Sequence, residues 1–225
     1  MINPTTLHFL SELKLNNNKD WFTAHKSDYT LALENMIEFA DDVILQMNKH
    51  DVLENTSGKK SLYRIYNDVR FSKDKTPYNP RFSFGLQRAS AERRGGYYVH
   101  IEPGNSFVGC GFFAPNPEDL KRIRLDIASN YDEWEAILQS KNIKENFGTL
   151  TGEKVLTAPK GFSKDHPAIE LLRFKQYLLI RNYTDAEVMA PDFATEVNRV
   201  LKSVRGYFDY MSEVLTTNVN GESVL

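Results

Sequence analysis

Between positions 61 and 113 the apolar residues of this chain recur at every second position, whereas on both sides of that stretch they recur at helical spacing. Strands gathered in the middle of a chain with helices before and after them make an α+β fold. Over 62–71 one strand face would carry Tyr63, Ile65, Val69 and Phe71, and the other Arg64, Tyr66, Asp68 and Arg70. Further strands are expected over 81–86, 96–102 and 106–113. The links between them hold Pro77, Pro80, Gly95, Gly96, Pro103, Gly104 and Asn105, and turns this short join antiparallel neighbours. The expectation is one domain over 1–225. It has a central antiparallel sheet of about four or more strands (about 61–113), flanked by N-terminal helices (about 4–50) and C-terminal helices (about 117–215).

The helical flanks carry their own punctuation. Asn3-Pro4 sets a cap before a proline in the first helical turn, and Leu7, Leu10 and Leu13 follow at helical spacing. Asn16-Asn17-Asn18 ends that helix, and Asn18 can cap a longer one whose stripe includes Trp21, Phe22, His25, Tyr29, Met36, Val43 and Met47. Asn116-Pro117 repeats the cap-then-proline signal ahead of Leu120, Ile123 and Ile127, and a second helix beginning near Asp132 would bury Trp134, Ile137 and Leu138. The glycine- and proline-bearing stretch 148–167 reads as a long irregular connection, a feature that is often functional. Residues 168–174 read as helix and 177–180 as a short strand. Phe193, Val197, Leu201, Val204, Phe208 and Met211 mark a terminal helix, with a loose end from Thr216.

The bulk composition narrows the class. With 225 residues, 41% of them hydrophobic, the chain is long enough to bury a sizeable core. No apolar run approaches the roughly 18 residues of a membrane span. The first residues lack a basic start leading into an apolar stretch, so the expected location is the cytoplasm, with no membrane partner. Cys110, the single cysteine, reads as a small buried filler.

Charge is distributed unevenly. Residues 59–94 contain ten basic and three acidic side chains, a local +7, which leaves −9 on the remainder of a chain whose total is −2. Such a segment is suited to anions, although basic groups also simply stand in water or pair with neighbouring acids. On a strand, Arg64, Tyr66, Asp68 and Arg70 would point the same way. Arg81 and Ser83, then Tyr98, His100 and Glu102, would join them across the sheet, with Lys73 and Lys75 arriving from the adjoining loop. Arginine supplies paired donors and lysine a mobile point charge, the usual recipe for a phosphate or carboxylate ligand.

The run Arg64-x-Tyr66-x-Asp68-Val69-Arg70-Phe71-Ser72-Lys73-Asp74-Lys75-Thr76-Pro77-Tyr78 resembles the signature of the domain of unknown function 2461 family, whose members are mainly bacterial and of about this length. Asn16-Asn17-Asn18-Lys19-Asp20-Trp21-Phe22 with His25, Lys26 and Tyr29 is similar to its N-terminal motif. Tyr98-x-His100-Ile101-Glu102-Pro103, Gly109-x-Gly111, Pro159-Lys160-Gly161-Phe162 and Asp165-His166-Pro167 are similar to its later ones. The family pattern has a basic residue where Asn67 and Asn79 stand here, so neither adds charge to a ligand site. The resemblance implies one α+β domain and brings no reaction with it.

Other motifs do not carry chemistry. Gly109-Cys110-Gly111-Phe112-Phe113-Ala114 fits a dinucleotide fingerprint in spelling only, because Pro115 and Pro117 follow where a helix would have to run. No phosphate loop of the G-x-x-x-x-G-K type or nucleophile elbow is present. The five histidines never fall at the i, i+4 spacing of a helical metal pair, which argues against a zinc protease; no metal-ligating residue is assigned and no cofactor is identified. His25 reads as a core histidine and Asp165 as a helix cap.

Three functions remain. In the first, the chain is a binding module for a small anionic, phosphate-bearing ligand or for nucleic acid, using Arg64, Tyr66, Arg70, Lys73, Lys75, Tyr78, Arg81 and Tyr98. In the second it is a hydrolase or transferase acting on a phosphorylated or nucleotide substrate, with Asp68, His100 and Glu102 as acid–base groups. In the third, the charges are an intramolecular network that holds the fold.

Overall fold

A computed structural model describes residues 1–218 and 221–225. Asn3-Pro4 opens α1 (Pro4–Leu15), whose Leu7, Leu10 and Leu13 are buried. The Asn18 side chain caps α2 (Lys19–Ala24) by accepting the Trp21 N–H at 2.9 Å. α3 (Lys26–Met47) buries Met36, Phe39, Ala40, Val43, Ile44 and Met47 along one stripe. The single long helix expected after Asn18 is therefore two. His25 leaves helical geometry, and its Nδ1–H donates to the Trp21 carbonyl at 2.8 Å while its ring stacks on Trp21 at 4.1 Å. A short α4 (Gly58–Ser61) then lies against α3. A Cβ on Gly58 would stand 2.5 Å from the Ile37 carbonyl oxygen, so only glycine allows this approach.

The strands are β1 (Phe82–Gln87), β2 (Gly96–Ile101) and β3 (Ser106–Phe112). α5 (Pro117–Ser129), α6 (Tyr131–Leu138), α7 (Lys141–Phe147) and α8 (Ile169–Leu172) precede β4 (Tyr177–Tyr183). α9 (Asp185–Val188), α10 (Phe193–Lys202) and α11 (Arg205–Thr216) complete the chain. The fold is α+β, with one antiparallel sheet in the order β1-β2-β3-β4. The fourth strand is β4, not the expected first strand at 62–71, where no strand forms. The expected terminal helix is also divided, into α10 and α11, because the Ser203 hydroxyl and N–H both turn back to the Val200 carbonyl. The loose end expected from Thr216 includes Val219 and Asn220, which lie outside the described residues. Among the described residues no helix is long and apolar enough to cross a membrane.

The chain divides into two compact units. The first comprises Met1–Gln87, Tyr98–Val108 and Asn182–Arg199. Its core joins α1 and α3: Asn35 Oδ1 accepts from the Asn3 N–H and the Thr6 hydroxyl, and Phe39 stacks on Phe193 with ring centroids 5.5 Å apart. The second comprises Arg88–Tyr97, Gly109–Arg181 and Val200–Leu225. Its core gathers Ile123, Ile127, Trp134, Tyr177, Tyr207 and Phe208. Asp126 ties that core together, accepting from Trp134 Nε1 at 2.6 Å and the Tyr210 hydroxyl at 2.8 Å. Gly111 has φ +133°, and a Cβ there would fall 2.2 Å from the Tyr177 carbonyl oxygen, which gives that glycine a packing role. Much of 148–167 is structural too. Thr151 and Lys154 form single bridges to Leu178 and Phe174, and the His166 ring, rather than Asp165, accepts the Ala168 N–H ahead of α8.

Candidate functional site

The charged segment between α4 and β1 is a pinned loop. Leu62 bridges Phe84 and Tyr66 bridges Tyr78, but no ladder connects these two points. Pro77 and Pro80 lie on the returning arm and carry no N–H, so the pairing cannot propagate. The loop is closed instead by the Asn67 N–H donating to the Pro77 carbonyl at 2.9 Å and the Asn79 N–H to the Ile65 carbonyl at 2.7 Å. Asn67 adds a side-chain bond to the Thr76 carbonyl. Part of the expected alternation persists, since Ile65 is buried while Arg64, Tyr66, Asp68 and Arg70 are exposed. Tyr63 and Phe71, expected on the buried face, are instead 58% and 95% exposed. Phe71, beyond the closure, has no partner layer to bury against, while Tyr63, below it, stands beside the Tyr98 ring at 6.3 Å.

The base of this loop is held by the N-terminal motif. Asn17 grips the Tyr78 backbone from both sides: its Nδ2 donates to the carbonyl at 2.8 Å, and its Oδ1 accepts the N–H at 3.1 Å. The Tyr78 ring lies parallel to Phe22, 4.0 Å between centroids, and is buried. Lys26 Nζ donates to the Tyr66 hydroxyl at 3.1 Å and stands 4.5 Å from the centroid of the Tyr29 ring and 5.1 Å from that of Phe22. Burial pushes the Tyr29 and Tyr78 phenols up, so both stay neutral. Tyr78, expected to touch a ligand, is therefore a brace. Asn17, Phe22, Lys26 and Tyr29 are the positioning residues that sequence reasoning did not assign.

At the tip the acids are engaged locally. Asp68 takes a two-point fork from Arg70, with Nε to Oδ1 at 2.9 Å and Nη2 to Oδ2 at 2.6 Å. That fork holds the Asp68 carboxyl below the usual carboxylate range, and Arg64 adds to the effect. Asp74 accepts from the Thr76 N–H and hydroxyl, and Lys75 Nζ donates to the Val69 carbonyl at 2.8 Å. Among the described residues, Arg70 is the only one of Arg64, Arg70, Lys73, Lys75 and Arg81 in an ion pair.

A second cluster stands on the face of β2 opposite Tyr97, Val99 and Ile101. The Tyr98 hydroxyl donates to His100 Nδ1 at 3.3 Å, and His100 Nε2–H donates to Glu102 Oε2 at 3.1 Å. With Glu102 ionised, this fixes the hydrogen on Nε2 and leaves the lone pair on Nδ1. Lys14 and Asn105 also donate to Glu102, at 3.3 and 3.0 Å. The His100 ring lies on Phe107, 4.6 Å between centroids. Burial lowers the His100 pKa and the Arg81 charge lowers it further, against the opposing pull of Glu102. Burial raises Glu102, but the bonds from Asn105, His100 and Lys14 outweigh it, and its pKa falls below the usual value.

The expected single face is thus two groups. Arg81, Tyr98, His100 and Glu102 share the β2 group, and Tyr63 joins it through ring contact with Tyr98 at 6.3 Å. Arg64, Tyr66, Asp68, Arg70, Lys73 and Lys75 lie along the loop. Among the described residues no hydrogen bond, ion pair or ring contact joins Asp68 or Arg70 to His100 or Glu102. The basic segment is also shorter than its composition implies. In the second unit, Arg88 is buried and donates to Asp209 at 3.1 Å, and Arg94 pairs with Asp119. Among the described residues no group of three His, Cys, Asp or Glu side chains is placed to hold a metal ion.

Residues 5–210 match the model of a family described as conserved hypothetical protein (DUF2461). No curated protein and no solved structure matches the chain.

Proposed function

Because the chain belongs to the DUF2461 family, whose description names no reaction, we propose a function from the geometry: the first unit binds an anionic, phosphate-bearing ligand on the loop at 62–81. The carrying observation is the imbalance of partners. Five cations, Arg64, Arg70, Lys73, Lys75 and Arg81, stand on or beside the loop, and both of its acids are engaged within the tip. A phosphate can displace water from Arg64 and Lys73 without breaking any internal bond, while at Arg70 it has to share the guanidinium with the Asp68 carboxylate. The brace from Asn17, Phe22 and Lys26 reduces the ordering that binding would otherwise require.

Calorimetric titration with sodium tripolyphosphate at low salt tests this reading. The wild type is expected to bind, and the double variant Arg64→Gln/Lys73→Gln, altered at exposed positions, to bind about tenfold or more weakly. Equal affinities for the two proteins, or no binding by the wild type, would refute the proposal.

The line from Tyr98 to Glu102 supports a second reading, acid–base chemistry on a phosphorylated ligand. Neutral His100, its tautomer set by Glu102, can draw a proton from Tyr98 through Nδ1. Under this reading His100→Ala abolishes phosphate release from a nucleotide substrate with little change in melting temperature. Loss of folding in that variant makes the line structural instead.

A further inference from the structure

The loop carries a feature that phosphate binding alone does not use. Phe71, at the tip, is 95% exposed, and Tyr63, at the base, is 58% exposed. Each neighbours a cation in sequence, Tyr63 before Arg64 and Phe71 after Arg70, whose guanidinium carbon is 6.0 Å from the centroid of the Phe71 ring. Exposed aromatic rings beside cations, Arg64 without an ion pair among the described residues and Arg70 held by Asp68, match a ligand that presents phosphates and planar faces alternately. Resting on the phosphate-binding reading, we infer that the ligand is single-stranded nucleic acid, with phosphates on Arg64, Arg70 and Lys73 and bases stacked on Phe71 and Tyr63.

A duplex offers the same phosphates but keeps its base faces inside the stack, so it satisfies the cations and leaves the rings idle. An anionic membrane fits less well. Tyr63 lies below the closure made by Asn67 and Pro77, where a flat surface touching the tip does not reach. A flexible strand can follow the loop from Phe71 down to Tyr63.

The test is fluorescence anisotropy of the full-length chain with labelled 15-nucleotide oligothymidylate and oligouridylate. The same-length duplex, phosphatidylserine vesicles and tripolyphosphate serve as comparators. Four phosphate contacts, counting Lys75, give a log–log salt slope of about −3, or roughly a 50-fold loss of affinity between 50 and 200 mM salt. Phe71→Ala, at a fully exposed position, is expected to weaken oligonucleotide binding at least about fivefold and to leave tripolyphosphate binding unchanged. The two oligonucleotides separate DNA from RNA as the source of the strand, and binding of either supports the inference. Equal or tighter binding of the duplex, an oligonucleotide affinity indifferent to Phe71→Ala, or Phe71-dependent capture of vesicles without oligonucleotide binding overturns it. If tripolyphosphate binds in those cases, the phosphate-binding reading survives; if it does not bind, both fail.

Discussion

Asn17 is the residue through which the N-terminal motif is expected to control the basic loop, and its removal has a calculable effect. Asn17→Ala deletes two hydrogen bonds to the Tyr78 backbone, at 2.8 and 3.1 Å. At about 0.5–1.5 kcal/mol net for each bond, the closed loop loses about 1–3 kcal/mol. That is roughly a 5- to 150-fold rise in the population of an opened loop, because each 1.4 kcal/mol is a factor of ten. Hydrogen exchange reads it directly. The Asn67 and Asn79 amides, which close the loop onto Pro77 and Ile65, are expected to exchange faster in the variant by that factor. Amides of β1 are expected to keep their wild-type rates. Asn17→Asp retains the acceptor for the Tyr78 N–H and loses the donor, so it is expected to fall between. Unchanged exchange of Asn67 and Asn79 in Asn17→Ala would show that the loop is held by something else.

Two further outcomes follow from the charges. Asp68→Asn removes a carboxylate from an exposed fork with Arg70, and the tripolyphosphate affinity is expected to rise about two- to fivefold by calorimetry, the scale of a surface pair; a fall in affinity would give Asp68 a direct part in binding. The second concerns pH. The His100 pKa is lowered from 6.5 in the folded chain, so unfolded chains take up that proton first, and the contribution of His100 is complete above about pH 6.5 and lost as pH falls through its folded value. Glu102, lowered from 4.5, adds a second loss at still lower pH. Urea midpoints measured from pH 7.5 down to about pH 3 are expected to decline in these two stages, the lower one shared with Asp68, Asp74, Glu153 and Glu170, whose carboxyls are also held below their ordinary values. His100→Gln is expected to remove the upper one, and an unaltered profile in that variant would count against the linkage.

The fold was largely legible in sequence because its signals are local. Asn3-Pro4, Asn18 and Asn116-Pro117 mark helix starts at α1, α2 and α5, and alternation marks β1, β2 and β3. Thr184 and Glu187 form a capping box that spells α9 in the same way. The error at 62–71 has a different origin. Alternation there is real at Ile65, but a strand also needs a donor-bearing partner, and Pro77 and Pro80 on the returning arm deny it one. The β2 group of Tyr98, His100 and Glu102 follows from period two and was readable. The brace was not, because Asn17 and Tyr78 are 61 positions apart and nothing local links them. The same holds for Arg88 and Asp209: the partner that removes Arg88 from the anion-facing set lies 121 residues away.

The central claim is that anions meet this chain at the loop between α4 and β1. Amide chemical-shift mapping during a tripolyphosphate titration of the isotope-labelled full-length chain addresses it most directly. The account expects the largest shifts at Arg64, Arg70, Lys73 and Lys75, a smaller one at Arg81, and none at Arg88 or Arg94, whose charges are already paired. Shifts centred on Arg88 and Arg94, or spread evenly over the surface with none saturating, would contradict it.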